Sequence, residues 1–133
     1  MHVPLATLLF GSLNLLLLGL LGFNVSRVRL AKKVFITTDA PSPEFHRVIR
    51  AHGNAAEWIP GMVLMLFILD MSGADTRLVM LFGAALLLAR LMHAAGVLMS
   101  NKISTAGATL CFILAVVMPI AGLVRYAEVA RVS

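Results

Sequence analysis

Trp58-Ile59-Pro60-Gly61-Met62-Val63-Leu64-Met65-Leu66-Phe67-Ile68-Leu69 is an apolar run of 12 residues bounded by Glu57 and Asp70. A helix rising 1.5 Å per residue covers about 18 Å with such a run, short of the roughly 30 Å of bilayer hydrocarbon. The run spans a membrane only if its helix extends backwards through Glu57, Asn54, His52, Arg50 and Arg47. A start is available there, with Ser42 as the cap and Pro43 at the first helical position. This gives a span of about Glu44 to Met71 whose first half carries the polar groups.

Three simpler spans surround it. About Val3 to Val25 is uncharged, has Asn14 as its main polar interruption, and ends ahead of Arg27, Arg29, Lys32 and Lys33. Thr76 to Met99 follows a Ser72-Gly73-Ala74-Asp75 turn and contains Arg90 and His93, and Ser104 to Tyr126 contains Pro119 as a kink. The one linker, Thr37 to Pro43, holds two prolines a residue apart, which oppose a continuous helix. The expected fold is an all-α integral membrane protein, a four-transmembrane-helix bundle forming a single domain over residues 1–133.

Composition points the same way. The 133 residues are 60% hydrophobic and 13% charged, against roughly 45–50% and 25% in soluble domains. That excess rules out disorder and a single soluble core, and a lone Cys111 rules out a disulfide scaffold. No Lys or Arg precedes the first apolar run, which outlasts a signal-peptide core, so it reads as a retained span.

The net charge of +5 would suggest nucleic acid in a soluble chain. Here the basic residues flank or interrupt spans, so membrane lipids or an anionic ligand are the expected partners and nucleic acid is not. Seven basic residues border the first and third connections (Arg27, Arg29, Lys32, Lys33, Arg47, Arg50, Lys102), against Arg77, Arg125 and Arg131 on the other side. The positive-inside rule then places those two connections in the cytoplasm. Short loops and the lack of organelle-retention signals suit a bacterial inner membrane.

Ionisable side chains inside spans cost of order 3 kcal/mol each at the centre, so each needs a partner, a wet cavity or a role. At about 100° per residue, Arg47, Arg50, Asn54 and Glu57 share one helical face, whereas His52 lies about 200° from Arg50 on the face of Ile59 and Val63. His93 and Asn101 extend a stripe from Arg90. Lys32 and Lys33 at a helix exit are best read as snorkelling to headgroups. Arg90 is too deep for that, and an internal Glu57–Arg90 salt bridge is the main ligand-free alternative. No His spacing fits a metal site, and Cys111 reads as a small apolar filler.

The run Arg47-Val48-Ile49-Arg50-Ala51-His52-Gly53-Asn54-Ala55-Ala56-Glu57-Trp58-Ile59-Pro60 resembles the second-helix signature of the MAPEG family, the membrane-associated proteins in eicosanoid and glutathione metabolism. Val28-Arg29-Leu30-Ala31-Lys32-Lys33 is similar to that family's basic first-helix end, and Arg90-Leu91-Met92-His93 to its third-helix R-x-x-H. The resemblance implies a microsomal glutathione transferase-like homotrimer, with glutathione as cosubstrate held between protomers near the cytoplasmic side. Carried over by position, Arg29, Arg50, Asn54, Glu57, Arg90 and His93 line that site, with His52 next to it. Arg forks suit the two carboxylates of glutathione and Glu57 suits its ammonium.

Several eicosanoid-making members have a Tyr seven residues after the third-helix Arg, where this chain has Val97. Arg90 is then the expected catalytic group, favouring the glutathione thiolate that attacks a lipophilic electrophile or, in a second activity, reduces a hydroperoxide. The alternative is a noncatalytic glutathione- or lipid-binding membrane protein. A small multidrug exporter of similar length would be expected to carry an acid in its first span, and Val3 to Val25 has none.

Overall fold

The computed structural model describes residues 3–34 and 42–131. A π-helical turn, Thr7–Gly11, leads into α1, Ser12–Lys32, which is followed by α2, Pro43–Met71, α3, Thr76–Leu98, and α4, Ile103–Ala130. Each helix is long and apolar enough to cross a membrane. The fold is the expected four-span helical bundle. The expected linker residues Thr37 to Pro41 lie outside the described residues, as does the N-terminal His2.

Helix α1 outruns its apolar stretch. It continues through Arg27, Arg29 and Lys32 and stops where Lys33 turns left-handed at φ 54°. Hydropathy marks where hydrocarbon ends, whereas the helix persists with its basic side chains partnered, Arg27 on Asn24 Oδ1 at 3.0 Å and Lys32 on Glu44.

The start of α2 has the expected chemistry. Ser42 accepts a hydrogen bond from the Phe45 N–H at 3.3 Å, Pro43 occupies the first position, and Glu44 sits in the first turn. Glu44 also meets Lys32 at 2.8 Å, tying the ends of α1 and α2 together. Both side chains are part-exposed, so the ion pair adds little and the cap matters more. Ser42→Ala is expected to lower stability by about 1 kcal/mol, read as a lower unfolding midpoint in detergent; an unchanged midpoint would mean that the cap is redundant.

Helix α2 packs against the other three. Leu66, Leu69, Val79, Leu86 and Met118 fill the half of the bundle near the second connection, and Leu21, Ala51, Ala55, Ile59 and Ala94 fill the other half. Helices α3 and α4 approach closest, because Gly96 and Gly107 lie in their crossing. A Cβ at Gly107 would lie 2.5 Å from the His93 backbone nitrogen, and one at Gly96 would overlap the Ser104 backbone.

The π-helical turn was not foreseen. Thr7 N–H there donates to Asp70 Oδ2 at 2.9 Å, and Asp70 is buried. The carboxylate that bounds the apolar run thus docks the start of the first span onto the end of α2. Asn14, wholly buried, donates to the Phe10 carbonyl at 2.8 Å.

Candidate functional site

Arg90 lies eight residues before the end of α3, about 12 Å along the helix. It is 1% exposed, and its side chain is the largest fully buried one among the described residues. Ala89 and Ala94 on α3 and Gly107 on α4 are also buried, and their small size leaves room for a guanidinium between helices. Nη2 donates to Asn54 Oδ1 at 2.6 Å and Nη1 to Cys111 Sγ at 3.4 Å. Among the described residues, Nε is buried without a partner and no carboxylate pairs with the guanidinium.

Asn54, rather than Glu57, therefore takes Arg90 within one chain. The two residues differ by about 60° around α2, enough for one to turn inwards and the other outwards. Glu57 and Arg50 are exposed on the outer side of α2, with Asn54 half-buried between that surface and Arg90. Glu57 is the central residue of the 29 in α2, with 14 on either side. A carboxylate facing lipid at that depth is costly.

His93, half-buried, sits one turn beyond Arg90 and bonds through Nδ1 to the Ser104 carbonyl at 3.0 Å. A carbonyl only accepts, so that bond places a proton on Nδ1 and leaves Nε2 of the neutral ring as an acceptor. His52 points elsewhere, as its angle implied: it packs on Gly22 of α1, with Nδ1 buried and without a partner among the described residues. Arg29 is exposed at the end of α1, its Cζ 5.9 Å from the centre of the Phe45 ring.

One chain thus brings together Arg90, Asn54 and Cys111, with His93 beside them and Arg50 and Glu57 on the adjoining outer face. Arg29 and His52 stand on other surfaces. Cys111 and the Ser104 carbonyl are the participants that sequence reasoning missed. The available signal was the shortage of polar atoms in the fourth span, where few side chains besides Cys111 can meet a buried cation. Among the described residues, no three His, Cys, Asp or Glu side chains gather as around a metal ion.

A family model for the MAPEG family matches residues 7–127. The inner membrane protein YecN of Escherichia coli strain K12 is 39% identical over 85 residues, which is 64% of this chain and 64% of that protein. YecN of Escherichia coli O6:H1 strain CFT073 matches to the same extent. The match thus covers just under two thirds of the length of these relatives.

Proposed function

The chain belongs to the MAPEG family, and on that premise we propose that it is a membrane-bound glutathione-dependent transferase acting on a lipophilic electrophile. In this reading it is a homotrimer in a bacterial inner membrane, with its first and third connections cytoplasmic and glutathione between protomers. The observation that carries the reading is Arg90: a buried guanidinium with no anionic partner among the described residues. Burying an uncompensated charge costs several kcal/mol, which an anionic ligand in contact with it offsets.

The roles follow from position. Arg50, on the outer face, forks a glutathione carboxylate, and Glu57, one to two turns deeper, takes the ammonium. Asn54 links that surface to Arg90, which favours the ionised thiol in a site of reduced dielectric. The thiol gives up its proton, the sulfur forms a bond to the electrophilic carbon, and the leaving group departs with its electron pair. In this reading His93 Nε2, the acceptor of the neutral ring, takes that proton. The lipophilic partner enters from the bilayer, and a lipid hydroperoxide in its place is reduced at the expense of two thiols, which leave as a disulfide.

A calorimetric titration with glutathione tests the binding half. Arg50→Ala is expected to weaken binding by about 3 kcal/mol, roughly a hundredfold in Kd. Lys32→Ala, whose side chain pairs with Glu44 at the surface, should change it little. No binding to the wild type, or equal small effects of both substitutions, would leave Arg50 a headgroup anchor and remove the basis of the reading.

A second reading, a noncatalytic glutathione- or lipid-binding protein, is favoured by Val97. That side chain packs with the cluster around Leu21 and Ala94 and offers no hydroxyl to a thiolate. Conjugation of glutathione to a generic electrophile by the purified protein separates the two readings, since the second requires binding without turnover.

A further inference from the structure

At the opposite end of the bundle from Arg90, two clefts meet at Arg125. The first, of about 280 Å³, lies between the start of α3 and the end of α4 and is edged by Asp75, Arg125 and Glu128 over apolar walls that include Leu78 and Val124. The second, of about 240 Å³, lies between α2 and α4 and is almost wholly apolar apart from Arg125, with Ile68, Gly122, Tyr126 and Val129 along it. Charges gather where the spans end, and the walls become apolar towards the bilayer. Tyr126, strongly exposed, sits at the level where amphipathic rings accumulate.

Arg125 is held in place by its neighbours. Nε donates to the Ser72 carbonyl at 2.9 Å and Nη1 to Glu128 at 3.1 Å, while Nη2 has no protein acceptor among the described residues. Asp75 uses Oδ1 to cap α3 through the Arg77 N–H at 2.7 Å, leaving Oδ2 for another donor. One guanidinium flanked by two carboxylates at the edge of an apolar groove is complementary to a molecule with one anionic group, one cationic group that donates hydrogen bonds, and an apolar tail.

We infer that these clefts form a binding site for a phospholipid with a primary-amine headgroup. Its phosphate sits on Arg125 Nη2, its ammonium between Asp75 and Glu128, and one acyl chain in the groove of Ile68, Gly122 and Val129. A quaternary ammonium has no N–H for the carboxylates, and a headgroup lacking an amine brings its phosphate beside Asp75 and Glu128 with Arg125, already paired with Glu128, as the one cation at the site, so the site discriminates by headgroup. The site is separate from the glutathione reading and does not depend on it.

The test is native mass spectrometry of the protein released from nanodiscs of equal phosphatidylethanolamine, phosphatidylcholine and phosphatidylglycerol. The wild type is expected to retain phosphatidylethanolamine roughly tenfold over phosphatidylglycerol, and the double variant Asp75→Asn/Glu128→Gln to bring the two within about twofold. Asn caps a helix as well as Asp, and Glu128 is exposed, so the variant should fold. Glutathione binding, remote from this end, serves as the control and should not change. Retention without headgroup preference, or the same preference in the double variant, overturns the inference. So does a change of oligomeric state in the variant with lipid retention unaltered, because the clefts would then be a contact between copies.

Discussion

Arg90→Met is expected to leave the ligand-free bundle within about 1 kcal/mol of wild-type stability while lowering glutathione turnover by roughly a hundredfold. The near-neutral effect on stability is a balance. Removing a buried guanidinium relieves a desolvation penalty, and replacing buried ionic groups with apolar ones of similar volume is often neutral or stabilising by 1–4 kcal/mol. Against this, Asn54 Oδ1 loses its partner, which costs about 1–3 kcal/mol. Methionine, unbranched and adaptable, fills most of the vacated space. On the proposed reading, bound glutathione tips the balance, because its thiolate in a site of low dielectric loses the charge assigned to stabilise it, and about 3 kcal/mol of lost stabilisation is two decades in rate. Arg90→Lys should fall between the two, since a point charge cannot meet both Asn54 and Cys111 as the planar fork does. The measurements are thermal unfolding without ligand and ultraviolet absorbance of bound thiolate against pH. If wild type and both variants titrate identically, Arg90 is not the activator and the noncatalytic reading moves ahead. If Arg90→Met instead unfolds the free protein, the guanidinium is structural glue.

The second large effect concerns the α3–α4 crossing. Gly107→Val is expected to lower stability by about 3 kcal/mol, at the upper end for overpacking. The atoms that meet the new side chain are the His93 nitrogen and the Ala89 carbonyl, which are backbone and cannot swing aside. Separating the helices would also draw Cys111 from Arg90 and Ser104 from His93, so glutathione binding should weaken together with the fold. Gly19→Ala is the comparison. A Cβ there meets nothing within 4 Å, and the change should be neutral or slightly stabilising through helix propensity. Unfolding midpoints of the two variants check the argument, and equal losses would mean that the crossing has room after all.

Four spans were legible because hydropathy and length are properties of each segment alone. The direction of His52 was legible too, because angular position on one helix follows from residue spacing. The partner of Arg90 was not. Asn54 and Glu57 share a stripe within about 60°, and only the rotation of α2 against α3 decides which turns in. Cys111 belongs to a third helix, and no spacing links it to residue 90 before the bundle is assembled. The docking of Thr7 on Asp70 was hidden for the same reason, since it joins residues 63 positions apart.

The place of Glu57 bears on how the protein is made. A newly inserted single chain exposes a carboxylate at the middle of α2, so for the homotrimer proposed above the solitary subunit is the least comfortable state the molecule passes through in the bilayer. In that proposed assembly, association is a step of maturation that hides this charge, and its extent depends on how many copies share the membrane. Chains made in excess of their partners keep the blemish exposed. On the homotrimer reading, that gives membrane quality control a chemical mark by which an orphan subunit would differ from an assembled one.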